Sequence, residues 1–204
     1  MKKFSAMFFI FIFSFALGKE IRVIETYPET KPEWMLKGGL FTGKEDGVKY
    51  IYFISFGSSS YKDSAREISF MNGGSFMISY IQKIIEKELM KIAEEEKVEN
   101  LSYGISTKNV DISGIKKMGT YIEKVEVADE SKPVKILYFV YLLNRVSYER
   151  FVEISEMVKE KTSYSMSQMK LDKKKIKRIE KKIDAWKSKG FEFLHDPEIL
   201  KDER

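Results

Sequence analysis

The sequence predicts an α+β domain: a small antiparallel sheet of about three strands, one long helix packed on it, and a C-terminal helical extension. Three observations carry this. Val48–Phe56 (VKYIYFISF) and Val134–Leu143 (VKILYFVYLL) are β-branched and aromatic runs of strand length. Between them, about Lys62 to Lys97 carries apolar residues at helical spacing. Near the C-terminus a lysine-rich stretch holds a narrow apolar seam.

Residues 1–18 read as a secretory signal peptide. Lys2 and Lys3 form a basic start, Met7–Leu17 (MFFIFIFSFAL) is apolar except for Ser14, and Ala16 and Gly18 place small residues at −3 and −1 of a cut after Gly18. Spanning a bilayer takes roughly 20 apolar residues, and Lys19, Glu20 and Arg22 end this run well short of that. The expected location is therefore periplasmic, cell-surface or secreted, and any association with the outer membrane is expected to be without a lipid anchor. The chain has no cysteine, which excludes a disulfide framework and a lipid-bearing cysteine; Lys19 stands where the latter would sit.

Residues 19–46 are expected to form an extended segment. Pro28 and Pro32 interrupt it, and Gly38-Gly39, Gly43 and Gly47 mark turns. The α+β domain proper is assigned to 47–161. In its first strand, Val48, Tyr50, Tyr52, Ile54 and Phe56 share one face; Lys49, Ile51, Phe53 and Ser55 share the other. Both faces carry apolar residues, so the strand is expected to be central. Gly57-Ser58-Ser59-Ser60 ends it, and Ser60 or Asp63 is available to cap the helix.

Along that helix Ala65, Ser69, Gly73, Phe76, Tyr80, Ile84 and Leu89 form one face, small first and bulky later. Asn72-Gly73-Gly74 is its soft point, because each interior glycine costs roughly 1 kcal/mol; a kink or break is expected there. Glu94-Glu95-Glu96 reads as a solvated last turn. Asn100–Lys117 reads as a loop with a short helix. Tyr121–Val127 and Val134–Leu143 are expected to pair as a hairpin through a turn at Asp129–Pro133. Ser147 would cap a helix reaching about Glu160.

Thr162–Ser167 is a weak helix former and reads as a hinge. Residues 162–190 then form a basic amphipathic helix from Gln168, with Met169, Ile176, Ile179, Ile183 and Trp186 as its seam and Gly190 as its stop; 191–204 is a tail. Lys170–Lys189 holds ten basic and three acidic residues. Removing Lys2 and Lys3 lowers the formal net charge from +5 to +3, so the mature chain outside this helix is near −4. The high isoelectric point belongs to one segment.

Candidate chemistry is sparse. His195 is the only histidine and stands in the tail, so neither a zinc site nor a serine triad is proposed on it. Gly57–Ser60 at a strand-to-helix turn invites anion binding but lacks the Gly-Lys-Ser/Thr of a phosphate loop and the Gly-x-Ser-x-Gly of a hydrolase elbow. Glu86 with Glu88, and Glu94–Glu96, lie among lysines and read as solvated. No catalytic, cofactor-binding or metal-ligating set is assigned. Lys170–Lys189 is the expected contact for an envelope protein or membrane surface, with homo-oligomerisation left open. Export disfavours nucleic acid as its partner.

Pro32-Glu33-Trp34 after an export signal, a strand ending in Gly57, a helix opening Ser64-Ala65-Arg66-Glu67, and Ser113-Gly114-Ile115 leading into the hairpin together resemble the LPP-twenty family of bacterial outer-membrane lipoproteins, related to the N-terminal domain of flagellar assembly protein T. The resemblance covers about Pro32 to Asn144. Two features depart from it: the long helix is not alanine-rich, and the lipid-bearing cysteine is missing. It implies a compact α+β domain on the cell envelope and supplies no catalytic residues. The reading is thus an exported, envelope-associated binding or structural protein without catalysis. The alternative is an exported small-ligand binder or hydrolase using Gly57–Ser60.

Overall fold

The computed structural model describes residues 19–98, 102–129, 132–165 and 173–188. Its elements are β1 (Lys19–Tyr27), α1 (Trp34–Lys37), β2 (Leu40–Glu45), β3 (Val48–Ser59), α2 (Lys62–Glu95), β4 (Ser102–Ile105), β5 (Lys116–Asp129), β6 (Lys132–Ser147), α3 (Tyr148–Glu160), β7 (Thr162–Ser165) and α4 (Lys173–Ser188). The fold is α+β, but the sheet has five antiparallel strands in the order β1-β5-β6-β3-β2, where about three were expected. β4 and β7 form a second, two-stranded sheet.

The extra strands come from places where the local pattern is weak. β1 pairs with β5 from Lys19↔Asp129 to Tyr27↔Ile122, with an irregularity between Val23 and Glu25. It is an edge strand carrying Glu20, Arg22 and Glu25, and charge plus a bulge discourages pairing with another edge. β2 and β3 form a hairpin whose turn, Asp46-Gly47, has positive φ at both residues (49° and 82°). That is the two-residue Asp-Gly connection favoured between antiparallel strands. Gly43, expected in a turn, lies inside β2, where a Cβ would stand 2.8 Å from the Tyr52 ring.

Four further expectations are corrected. Asn100–Lys117 has a strand, β4, and no helix among its described residues, and the expected hinge from Thr162 forms β7; the two pair from Ser102↔Ser165 to Ile105↔Thr162. Four-residue strands are too short for alternation to register in sequence. Asp129 and Pro133, expected in a turn, belong to strands: β5 runs to Asp129 and β6 already holds Pro133. The expected break at Asn72-Gly73-Gly74 is absent: α2 runs uninterrupted for 34 residues.

The chain divides into two units. The first takes the described residues up to Gly38, with Ile54–Gly73 and Lys117–Asn144. Its core is small: Ala65, Ile122, Val140 and Leu142. Beside that core lies a buried polar cluster, in which Asn144 Nδ2 donates to Ser55 Oγ (2.8 Å) and Ser55 Oγ lies 3.3 Å from Ser69 Oγ. Gly73 borders this cluster; its Cβ position is 3.4 Å from Asn144 Nδ2. Gly57 does not end β3, which continues to Ser59. A Cβ on Gly57 would overlap the Ala65 carbonyl and the Ser69 amide, so its glycine is explained by close strand–helix packing.

The second unit takes Gly39–Phe53, Gly74–Lys116 and the described residues from Arg145 onward. Its core is large and includes Phe53, Met77, Ile81, Ile85, Leu89, Phe151, Ile154, Val158, Ile179 and Ile183. Tyr80, Ile84 and Leu89 are buried as the helical spacing predicted. Arg150 N donates to Ser147 Oγ at 3.2 Å, the expected N-cap of α3. Gly74 leaves room for the Ile112 side chain, which a Cβ would overlap.

Candidate functional site

The structure places the lysine-rich helix in the second unit, with its seam occupied. Ile179 and Ile183 are fully buried and Trp186 nearly so, all within that unit's core. Met169, Gln168 and Gly190, assigned to the same helix, lie outside the described residues, as do residues 1–18, expected to be a signal peptide, His195 and the tail.

The basic residues flanking the seam hold α4 in place. Lys182 Nζ lies 2.8 Å from Glu95 Oε2 and 2.7 Å from Glu96 Oε1, and Arg178 is 3.7 Å from Glu96. Lys175 Nζ donates to the Lys97 carbonyl (3.0 Å) and Lys187 Nζ to the Thr162 carbonyl (2.8 Å). Glu96, expected in a solvated turn, is buried. The Lys182 hydrogen bond, with the nearby charges of Lys182, Arg178 and Lys175, holds its carboxyl below the usual range. Lys182 is raised in turn, first by Glu95 and then by Glu96.

The remaining lysines define the exposed face. Lys173, Lys174, Lys177 and Lys181 are all exposed. At about 100° per residue they fall within one arc of about 100°, and the buried residues 179, 183 and 186 centre on the opposite side. Asp184 shares the lysine arc at its C-terminal end and is also exposed. The result is a helix fastened by one face that presents a lysine row on the other.

The other sequence candidates are not assembled into a site. Ser58 and Ser60 are exposed, and Ser59 Oγ accepts from the Tyr61 amide (3.2 Å). Glu88 pairs with Lys91 at 2.7 Å, and Glu86 neighbours Tyr103, whose hydroxyl is raised first by burial and then by that charge. Among the described residues, no group of three or more metal-ligating side chains is placed to hold an ion, and no helix is long and apolar enough to cross a membrane.

Sequence reasoning missed two charged clusters in this unit. Glu45 accepts from both Tyr52 Oη and Arg145, whose guanidinium sits 4.4 Å from the Tyr50 ring centre. These bonds, Tyr52's first, lower the Glu45 carboxyl. Arg150 binds Asp111 Oδ2 (2.7 Å) and the Ser113 carbonyl (3.0 Å), and Asp111 is lowered chiefly by hydrogen bonds from Ser113. The members lie far apart in the chain, so no local motif announces them.

The chain matches no protein-family model, no curated protein and no solved structure.

The depressed carboxylates set a pH dependence. Glu45, Glu96 and Asp111 all have folded-state values below their ordinary ones. Their contribution is fully present above the usual carboxylate range, near pH 4, and is lost as pH falls through the lowered values. The melting temperature should therefore drop below about pH 4. In Glu96→Gln it should already be lower at pH 7 and fall less steeply in acid; parallel curves would refute this role for Glu96.

Proposed function

We propose that this chain is an exported, cell-envelope-associated binding protein without catalytic activity, held against an anionic membrane face by the outward lysine row of α4. The observation that carries the reading is the division of labour on that helix. Ile179, Ile183 and Trp186 are buried, Lys175, Lys182 and Lys187 make contacts within the chain, and Lys173, Lys174, Lys177 and Lys181 remain exposed on the opposite arc. A basic row on a fastened helix presents charge without the entropy cost of ordering a free segment. The signal-like residues 1–18 and the resemblance to the LPP-twenty family support the same location.

Each lysine near an anionic surface contributes about 1 kcal/mol. With Asp184 opposing, the row supplies about 3 kcal/mol, or about 100-fold in affinity. The mature chain should co-sediment with phosphatidylglycerol-rich vesicles at low salt and release as salt rises. Changing Lys173, Lys174, Lys177 and Lys181 together to Gln removes about 4 kcal/mol, because Asp184 remains, and should weaken binding about 1,000-fold. Equal sedimentation of variant and parent, or none by the parent, would sink the proposal. Cell fractionation with mass spectrometry of the mature N-terminus tests export independently.

A further inference from the structure

A cavity of about 420 Å³ opens on the first unit, lined by Arg66, Glu67, Phe70, Met71, Lys117 and Leu142. Leu142 is fully buried, whereas Phe70 and Met71 are 54% and 71% exposed. Exposed side chains of this size at a concave site are the kind of surface that marks binding. The polar members add a direction. Arg66 Nε is buried and has no hydrogen-bond partner among the described residues, and its nearest ion-pair contact, Asp63 Oδ1, is 3.7 Å from Nη1, beyond hydrogen-bond range. A buried guanidinium donor left unpaired costs free energy until an acceptor reaches it.

We propose that this cavity binds a single-chain carboxylate amphiphile, with its carboxylate on Arg66 and its alkyl chain against Phe70, Met71 and Leu142. Size favours one chain, since 420 Å³ lies near the lower end of small-ligand pockets. Charge favours a monoanion: Arg66 and Lys117 against Glu67 leave the lining at a formal +1. Geometry favours a carboxylate, whose two oxygens accept in parallel from Nε–H and one Nη–H of the guanidinium fork. This binding is separate from the α4 lysine row and does not depend on it.

Calorimetric titration with decanoate and with decanol, below their aggregation concentrations, tests the assignment. The mature chain should bind one decanoate and prefer it to decanol about tenfold or more. Arg66→Gln should lower decanoate affinity about tenfold or more and leave decanol unchanged. Phe70→Ser, at a half-exposed position, should weaken both, with circular dichroism reporting that each variant is folded. The four-lysine variant should bind decanoate as the parent does. Absence of decanoate binding, or an Arg66→Gln variant that binds it as tightly as the parent, would overturn the proposal.

Discussion

Replacing Gly57 by alanine is expected to cost more than about 3 kcal/mol of folding stability. The added methyl group would overlap the Ala65 carbonyl oxygen and the Ser69 amide nitrogen and stand 2.9 Å from the Ser69 Cα. All three are backbone atoms, so no side-chain rotation can relieve the clash. The first half of α2 would have to move away from β3. That movement would disturb the packing of Ala65 and the Ser55–Ser69–Asn144 cluster, all buried. At about 2–4 °C per kcal/mol for a chain of this size, the melting temperature should fall by at least about 6 °C. Gly73→Ala is the control. Its Cβ would sit 3.4 Å from Asn144 Nδ2, an ordinary contact, and the helix gains up to about 1 kcal/mol in propensity. Denaturant titration of the two variants should therefore diverge in sign. If both behave alike, the close approach at Gly57 is wrong.

Truncating the α4 seam should have a comparable effect. Ile183 is fully buried in the second unit's core, and its replacement by alanine should cost about 2–5 kcal/mol. Trp186→Ala should cost about 3–5 kcal/mol. The tryptophan also places its ring 5.3 Å from the ammonium of Lys159, which is itself buried, and a desolvated cation–π contact is worth about 2 kcal/mol. Lys177→Gln, on the exposed arc, should stay within about 0.5 kcal/mol of the parent. This contrast separates the two faces of one helix. The seam belongs to folding stability, whereas the lysine row is exposed. Seam variants as stable as the parent would mean that α4 is not part of the core, and the fastened-row argument would fail with it.

Where local chemistry is strong, the sequence reading and the structure agree. The β3 run VKYIYFISF is an interior strand of the sheet, between β6 and β2, the Ala65–Leu89 spacing is the inward face of α2, and Ser147 caps α3. The missed strands β1, β4 and β7 share one cause. They are short or half-polar segments whose strand character comes from pairing with residues tens of positions away. The Asp46-Gly47 hairpin signal was present but was merged with its neighbouring glycines into one turn region.

For the candidate site, Ile179, Ile183 and Trp186 were legible as a seam, but not what fills the opposite side of it. Arg66, Phe70, Met71 and Lys117 carried no signal of a shared site, since they meet only when α2 lies beside β5 and β6.

By itself, then, the sequence determined an apolar N-terminal run behind two lysines, an α+β chain without cysteine, and a lysine-rich helix with an apolar seam. Those properties reside in composition and in periodicities of two or about 3.6 residues. Only the tertiary structure decided the five-strand order, the reason for glycine at 57, the burial of Glu96, and which lysines remain outward. Each of these depends on contacts between segments distant in the chain, which local periodicity does not record.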